Sequence, residues 1–163
     1  MIFGLMSLKT YTVVHVLISL VAIIAGLALL RRIIDHRPFG GWNRVFMVTI
    51  VATCLTGFLF PFHHMTPGIV LGILTLLVLA LAVYALEVKL LMGRWAAVYV
   101  YSVVAALYFD FFVAIVQSFQ KIPYLRVRAP TQTEPPFLIT QLVILVVLVL
   151  VGFFAQRRFR RTL

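Results

Sequence analysis

Charge is scarce in this chain. Only 11% of its residues are Asp, Glu, Lys or Arg and 64% are apolar, whereas a soluble globular domain carries roughly 25% charged residues. A surface that water could wet cannot be assembled from that stock, so any chemistry must sit in or beside a bilayer. Acids are scarcer still, with four carboxylates against fourteen Lys and Arg. A single cysteine, Cys54, has no partner within the chain. That excludes an intrachain disulfide and leaves the residue reading as a small buried apolar group. The sequence also lacks a phosphate-binding glycine loop, a zinc-protease motif, a CxxC pair and a Gly-x-Ser-x-Gly elbow. Their absence argues against several common enzyme classes.

What the chain has instead is long apolar runs. Five read as transmembrane helices, at about residues 11–30, 44–62, 68–91, 94–120 and 137–155, each near the roughly 20 residues that cross a hydrocarbon core. Asp35-His36-Arg37-Pro38 and Gly40-Gly41 break the chain after the first run, and Gly93 separates the third from the fourth. Pro123, Pro130, Pro135 and Pro136 exclude a continuous helix between Lys121 and Pro136, and the last two suit the first turn of the final helix. The first apolar run is not built as a cleaved signal, because Lys9 alone precedes it and Arg31, Arg32 and Arg37 follow.

The net charge of +10 would suggest nucleic acid in a soluble protein. Here the basic residues mark the ends of apolar runs, which is a topology signal and not a nucleic-acid interface. Arg31, Arg32, Arg37, Arg44, Lys89, Arg94, Arg157, Arg158, Arg160 and Arg161 fall on one side of the threading, and Lys9, Lys121, Arg126 and Arg128 on the other. The richer side belongs in the cytoplasm. The expectation is therefore an all-α integral membrane protein, one bundle of five transmembrane helices with its N-terminus outside and its C-terminus cytoplasmic.

An ionisable side chain inside a bilayer costs roughly 2.5–3.5 kcal/mol on insertion scales, so it is the first place to look for function. Asp110 is the one acid well inside an apolar run, since Glu87 falls in the basic turn that ends the third, and it lies on a stripe with Ser102, Ala106, Ala114 and Gln117. The first run carries a matching stripe of Thr12, His15, Ser19, Ala22 and Gly26, and the second carries Thr49, Thr53, Thr56 and Phe60 before His63 and His64. Counting from the basic ends at 1.5 Å per residue puts His15 about 24 Å from Arg31, Asp110 about 24 Å from Arg94 and Gln141 about 24 Å from Arg157. One polar layer near the outer face is expected, roofed by His63, His64 and Thr131-Gln132-Thr133-Glu134.

The lead reading of that layer is a proton or small-solute transport unit, or a subunit of a larger membrane assembly, built around Asp110 and His15 with Gln117 and Gln141. A second is a redox protein holding haem or a metal on His15 with His63 or His64. A third is a membrane enzyme on a lipid or apolar substrate with His15 and Asp110 as acid and base. Against all three stands a structural Asp110 that locks helices together. The expected partners are the lipid bilayer and either a second copy of the chain or another membrane subunit.

The run Pro130-Thr131-Gln132-Thr133-Glu134-Pro135-Pro136-Phe137, with Leu107-Tyr108-Phe109-Asp110-Phe111-Phe112-Val113 and Gln117-Ser118-Phe119, resembles a group of small uncharacterised polytopic proteins of bacterial inner membranes. That resemblance implies location and bacterial origin. A weaker likeness is to cytochrome b561-type haem bundles, which clamp haem between histidines of adjacent helices. This sequence departs from that pattern, because His15 alone lies well inside an apolar run. A single haem would need His63 or His64 as its second ligand.

Overall fold

A computed structural model of the protein describes residues 7–61 and 66–159. All regular structure among them is helical. Helix α1 spans Leu8–Ile34, α2 Trp42–Phe58, α3 Pro67–Val83, α4 Trp95–Lys121, α5 Pro123–Arg128 and α6 Pro135–Phe159. A single π turn over Tyr84–Val88 prolongs α3. Two of the helix starts follow from short polar side chains that satisfy otherwise orphan amides. Ser7 accepts from the Thr10 amide at the head of α1. Thr66 accepts from the Ile69 amide at the head of α3, with Pro67 in its first turn. At the turns after α1 and α3, Gly40 and Gly93 both take φ of +59°, a conformation that costs a side-chain-bearing residue roughly 1–2 kcal/mol.

Four of these helices, α1, α3 with its π turn, α4 and α6, are long and apolar enough to cross a membrane. Helix α2 is equally apolar in character but has 17 residues, about 26 Å of rise. Leu17, Ile24, Leu77, Val146 and Phe154 are among many large apolar side chains left exposed. Such a surface suits hydrocarbon and not water.

The packing is a ring with one diagonal. Helix α1 lies against α2, α2 against α3, α3 against α4, α4 against α6 and α6 against α1, while α1 and α4 also touch across the middle. The core gathers where those two approach, around Ala22, Leu29, Phe46, Tyr99, Val103, Ala106 and Leu107. Small residues permit the approach. At Gly26 a Cβ would stand 2.9 Å from both Leu107 Cδ1 and a Phe46 ring carbon.

Helix extents differ from the sequence expectation in informative ways. Helix α1 continues through Arg31 and Arg32 to Ile34 and does not stop at Leu30, because exposed arginines cost a helix nothing once their heads reach a polar layer. Helix α2 ends at Phe58 and not at residue 62, as Leu59 and Phe60 fold into a turn on the Thr56 and Gly57 carbonyls. The proline-rich stretch after α4 holds the one-and-a-half-turn helix α5, started by Pro123.

Overpacking the diagonal should loosen the bundle. Gly26→Leu is expected to lower stability by about 1–3 kcal/mol, read as a lower thermal unfolding midpoint in detergent. Gly41→Ala, at a position with no atom within 4 Å of the added methyl, should leave the midpoint unchanged.

Candidate functional site

The diagonal contact is where polar groups meet. Asp110, 7% exposed, projects from α4 toward α1 and accepts a hydrogen bond from the Ser19 hydroxyl at 2.8 Å. Its other oxygen, Oδ2, is buried without a hydrogen-bond partner among the described residues. Cys54 of α2 lies within electrostatic reach of this carboxyl and sits against the Thr75 side chain of α3. Thr75 is itself buried and donates back to the Leu71 carbonyl at 2.7 Å. Ser19, Cys54, Thr75 and Asp110 thus draw α1, α2, α3 and α4 to one neighbourhood.

Helix α6 completes the surround. Gln141, also 7% exposed, donates through Nε2 to the Phe112 carbonyl of α4 at 3.3 Å, and its Oε1 is the second buried oxygen without a donor. Buried acceptors left unpaired cost about 1–3 kcal/mol each, and most native interiors avoid them. Two within one small bundle, both acceptors, mark a place that lacks donors. Among the described residues no cation pairs with Asp110, and the ion pair found there is Arg31–Asp35 at 3.6 Å, on the surface.

His15 belongs to a neighbouring group. Its Nδ1 lies 2.8 Å from the Thr56 hydroxyl, and its ring meets Phe60 edge-on at 5.2 Å between centroids. Tyr11 donates to the Thr56 carbonyl at 2.7 Å, so the far ends of α1 and α2 are fastened twice at one residue. The charge that bears on His15 is the Lys121 ammonium. No hydrogen bond joins His15 to Asp110, which engages Ser19 instead, about 6 Å along α1 from His15. Gln117 is half-buried two turns beyond Asp110 on α4 and makes no side-chain hydrogen bond among the described residues.

The loop before α6 closes this end. Glu134 accepts from the Thr131 amide and hydroxyl through Oε1 and from the Thr133 amide through Oε2. Gln132, held at φ +61°, donates to the Val116 carbonyl and accepts from Gln120. The small burial of Glu134 works upward on its carboxyl. The hydrogen bonds from the Thr131 amide and hydroxyl, with that from the Thr133 amide, outweigh it and hold the carboxyl below its ordinary value.

His63 and His64 lie outside the described residues. No three His, Cys, Asp or Glu side chains come together as a metal site among those described. The neighbourhood of Asp110 does contain two residues that the sequence reading passed over. Thr75 is the one hydroxyl in α3, a signal that was available. Cys54 reads as apolar from sequence, and only the packing places it beside the carboxyl. Compared with known protein families, curated proteins and solved structures, the chain matches none.

Two tests follow from this geometry. In a Ser19→Ala and Asp110→Ala double-mutant cycle, which removes donor and acceptor in turn, detergent unfolding should show a coupling of about 0.6–1.7 kcal/mol, the range for interhelical hydrogen bonds in membranes. Strict additivity would mean that the two side chains do not meet. For Glu134, a depressed value means that its clasp on the loop is complete above the ordinary carboxylate range and is lost as pH falls through the lower folded value. The Thr131 and Thr133 amide resonances should move together on acidification, and Glu134→Gln should abolish the transition.

Proposed function

We propose that this chain is a five-span bacterial inner-membrane protein, N-terminus out and C-terminus in. In this reading it takes up and releases a proton at Asp110 as a small transport unit, alone or as a subunit of a larger membrane assembly. The observation that carries the reading is the carboxyl itself, buried among four helices with one oxygen bonded to Ser19 and the other unpartnered. A carboxyl whose only task was to lock helices would be expected to use both oxygens. Asp110 Oδ2 is instead an acceptor held open, with the Ser19 hydroxyl on the other oxygen, the Cys54 thiol near the carboxyl and no ion pair to it among the described residues.

The chemistry needs few parts. A proton arriving at Oδ2 converts the carboxylate to the acid and removes the charge that the bilayer penalises. The Ser19 bond to Oδ1 is made in either state, so the helix pair keeps its geometry while the proton comes and goes. Gln141 and Gln117 offer polar steps toward the end closed by the Glu134 loop, and His15 on Thr56 lies one turn along α1 on the same side. The uneven spread of Lys and Arg, most of them on one side, supports the orientation. The 17 residues of α2 sit at the lower limit for a span, about 17–25, and its packing between α1 and α3 supports counting it as one.

Infrared titration in lipid vesicles tests the claim on the group itself. Between about pH 4 and pH 9, the wild type should show a reversible carboxylic C=O stretch that is missing from Asp110→Asn, while both insert and unfold alike. A carboxyl that keeps one protonation state across that range would remove the proton-carrying role.

A further inference from the structure

One recess in the surface lies apart from the Asp110 neighbourhood, on the face between α3 and α4. Between α3 and α4 an open groove of about 460 Å³ runs from Arg94 past Leu81 and Ala97 to Ser102 and Ala105. Its origin is local. The small side chains at Ala97 and Ala105 leave the α4 face shallow, and the π turn that ends α3 shifts the chain off its helical path just before the turn into α4. The lining is otherwise apolar apart from Tyr101 and Ser102, and Ser102, 5% exposed, makes no side-chain hydrogen bond among the described residues.

The mouth of the groove is cationic. Arg94 caps α4 without a side-chain bond to its first turn, is exposed and lines the groove, which puts a cation at the positive end of the helix dipole. Lys89 is held close by. Its Nζ lies 5.4 Å from the Tyr84 ring centroid and 5.5 Å from that of Trp95, two rings that pack edge-on at 5.3 Å. The acid of this turn, Glu87, is exposed and forms no ion pair with either cation. Arg94 at the end of an apolar groove, with Lys89, Tyr84 and Trp95 clustered about the same interhelical turn, matches the anatomy of the headgroup layer.

We infer that the α3–α4 groove binds one anionic phospholipid, its phosphate on Arg94 with Lys89 as second cation and an acyl chain lying along Leu81, Ala97 and Ala105. Charge decides between occupants. A second copy of this chain brings a net charge of +10 toward two unpaired cations, whereas a phosphate brings the complementary sign. A free phosphate leaves the apolar length of the groove unfilled.

Native mass spectrometry of protein extracted from vesicles of mixed phosphatidylglycerol and phosphatidylethanolamine reads the occupant directly. Wild type should retain one phosphatidylglycerol in preference to phosphatidylethanolamine, and added inorganic phosphate should not displace it. Arg94→Gln should cut that preference about fivefold, the loss of one cation near a lipid surface. Arg44→Gln, on α2 away from the groove, should leave it intact. Ala105→Leu should lower retention of both lipids by filling the groove, with Ala97→Leu as its replacement if that variant does not insert. The inference is overturned by unchanged retention in Arg94→Gln, by equal loss in Arg44→Gln, by displacement with inorganic phosphate, or by a lipid-free dimer as the extracted species.

Discussion

Carrying a carboxyl into hydrocarbon is affordable for α4 only because α1 crosses the middle of the ring to meet it. The Ser19 hydroxyl bonds Asp110 Oδ1 at 2.8 Å, and the small residues one and two turns along, Ala22 and Gly26, bring the two backbones close enough for so short a side chain to reach. A bulkier residue at Gly26 would press on Leu107 and Phe46 and open the same gap that the hydrogen bond has to span. Close packing and polar pairing are therefore one constraint read at two levels of the bundle.

The other helices depend on that pair. Helices α2 and α3 bring Cys54 and Thr75 to one side of the carboxyl, and α6 brings Gln141 to the α4 backbone at Phe112. The groups these helices bring are neutral, and among the described residues no ion pair cancels the acid. Beyond this level the attachments become conventional. Tyr11 and His15 fasten α1 to Thr56 of α2, and the Thr131-to-Glu134 clasp starts α6. At the opposite end Tyr99 donates to Asn43 and stacks on Phe39, which ties α4 to the first turn of α2.

Much of this was legible from residue type alone. Apolar runs and their flanking arginines locate the helices, and a lone acid in such a run names Asp110 as the centre. The stripe of His15, Ser19, Ala22 and Gly26 identifies the α1 face that turns inward. The register was less accessible. Counting depth from Arg31 and from Arg94 treats both as one level, yet Arg31 lies inside α1, which continues to Ile34, whereas Arg94 precedes α4. That difference moves the contact of Asp110 one turn, from the level of His15 to Ser19. Cys54 was hidden for another reason, since a thiol is polar only by what it faces, and no periodicity reports the neighbour.

The account stands on the Asp110 carboxyl turning inward to Ser19 when the chain is in a bilayer. Carbon-13 correlation spectra of the labelled protein in lipid vesicles measure that directly. A through-space cross-peak between the Asp110 carboxyl carbon and the Ser19 Cβ is predicted. Cross-peaks from that carboxyl to acyl-chain methylenes, with none to Ser19, would contradict it.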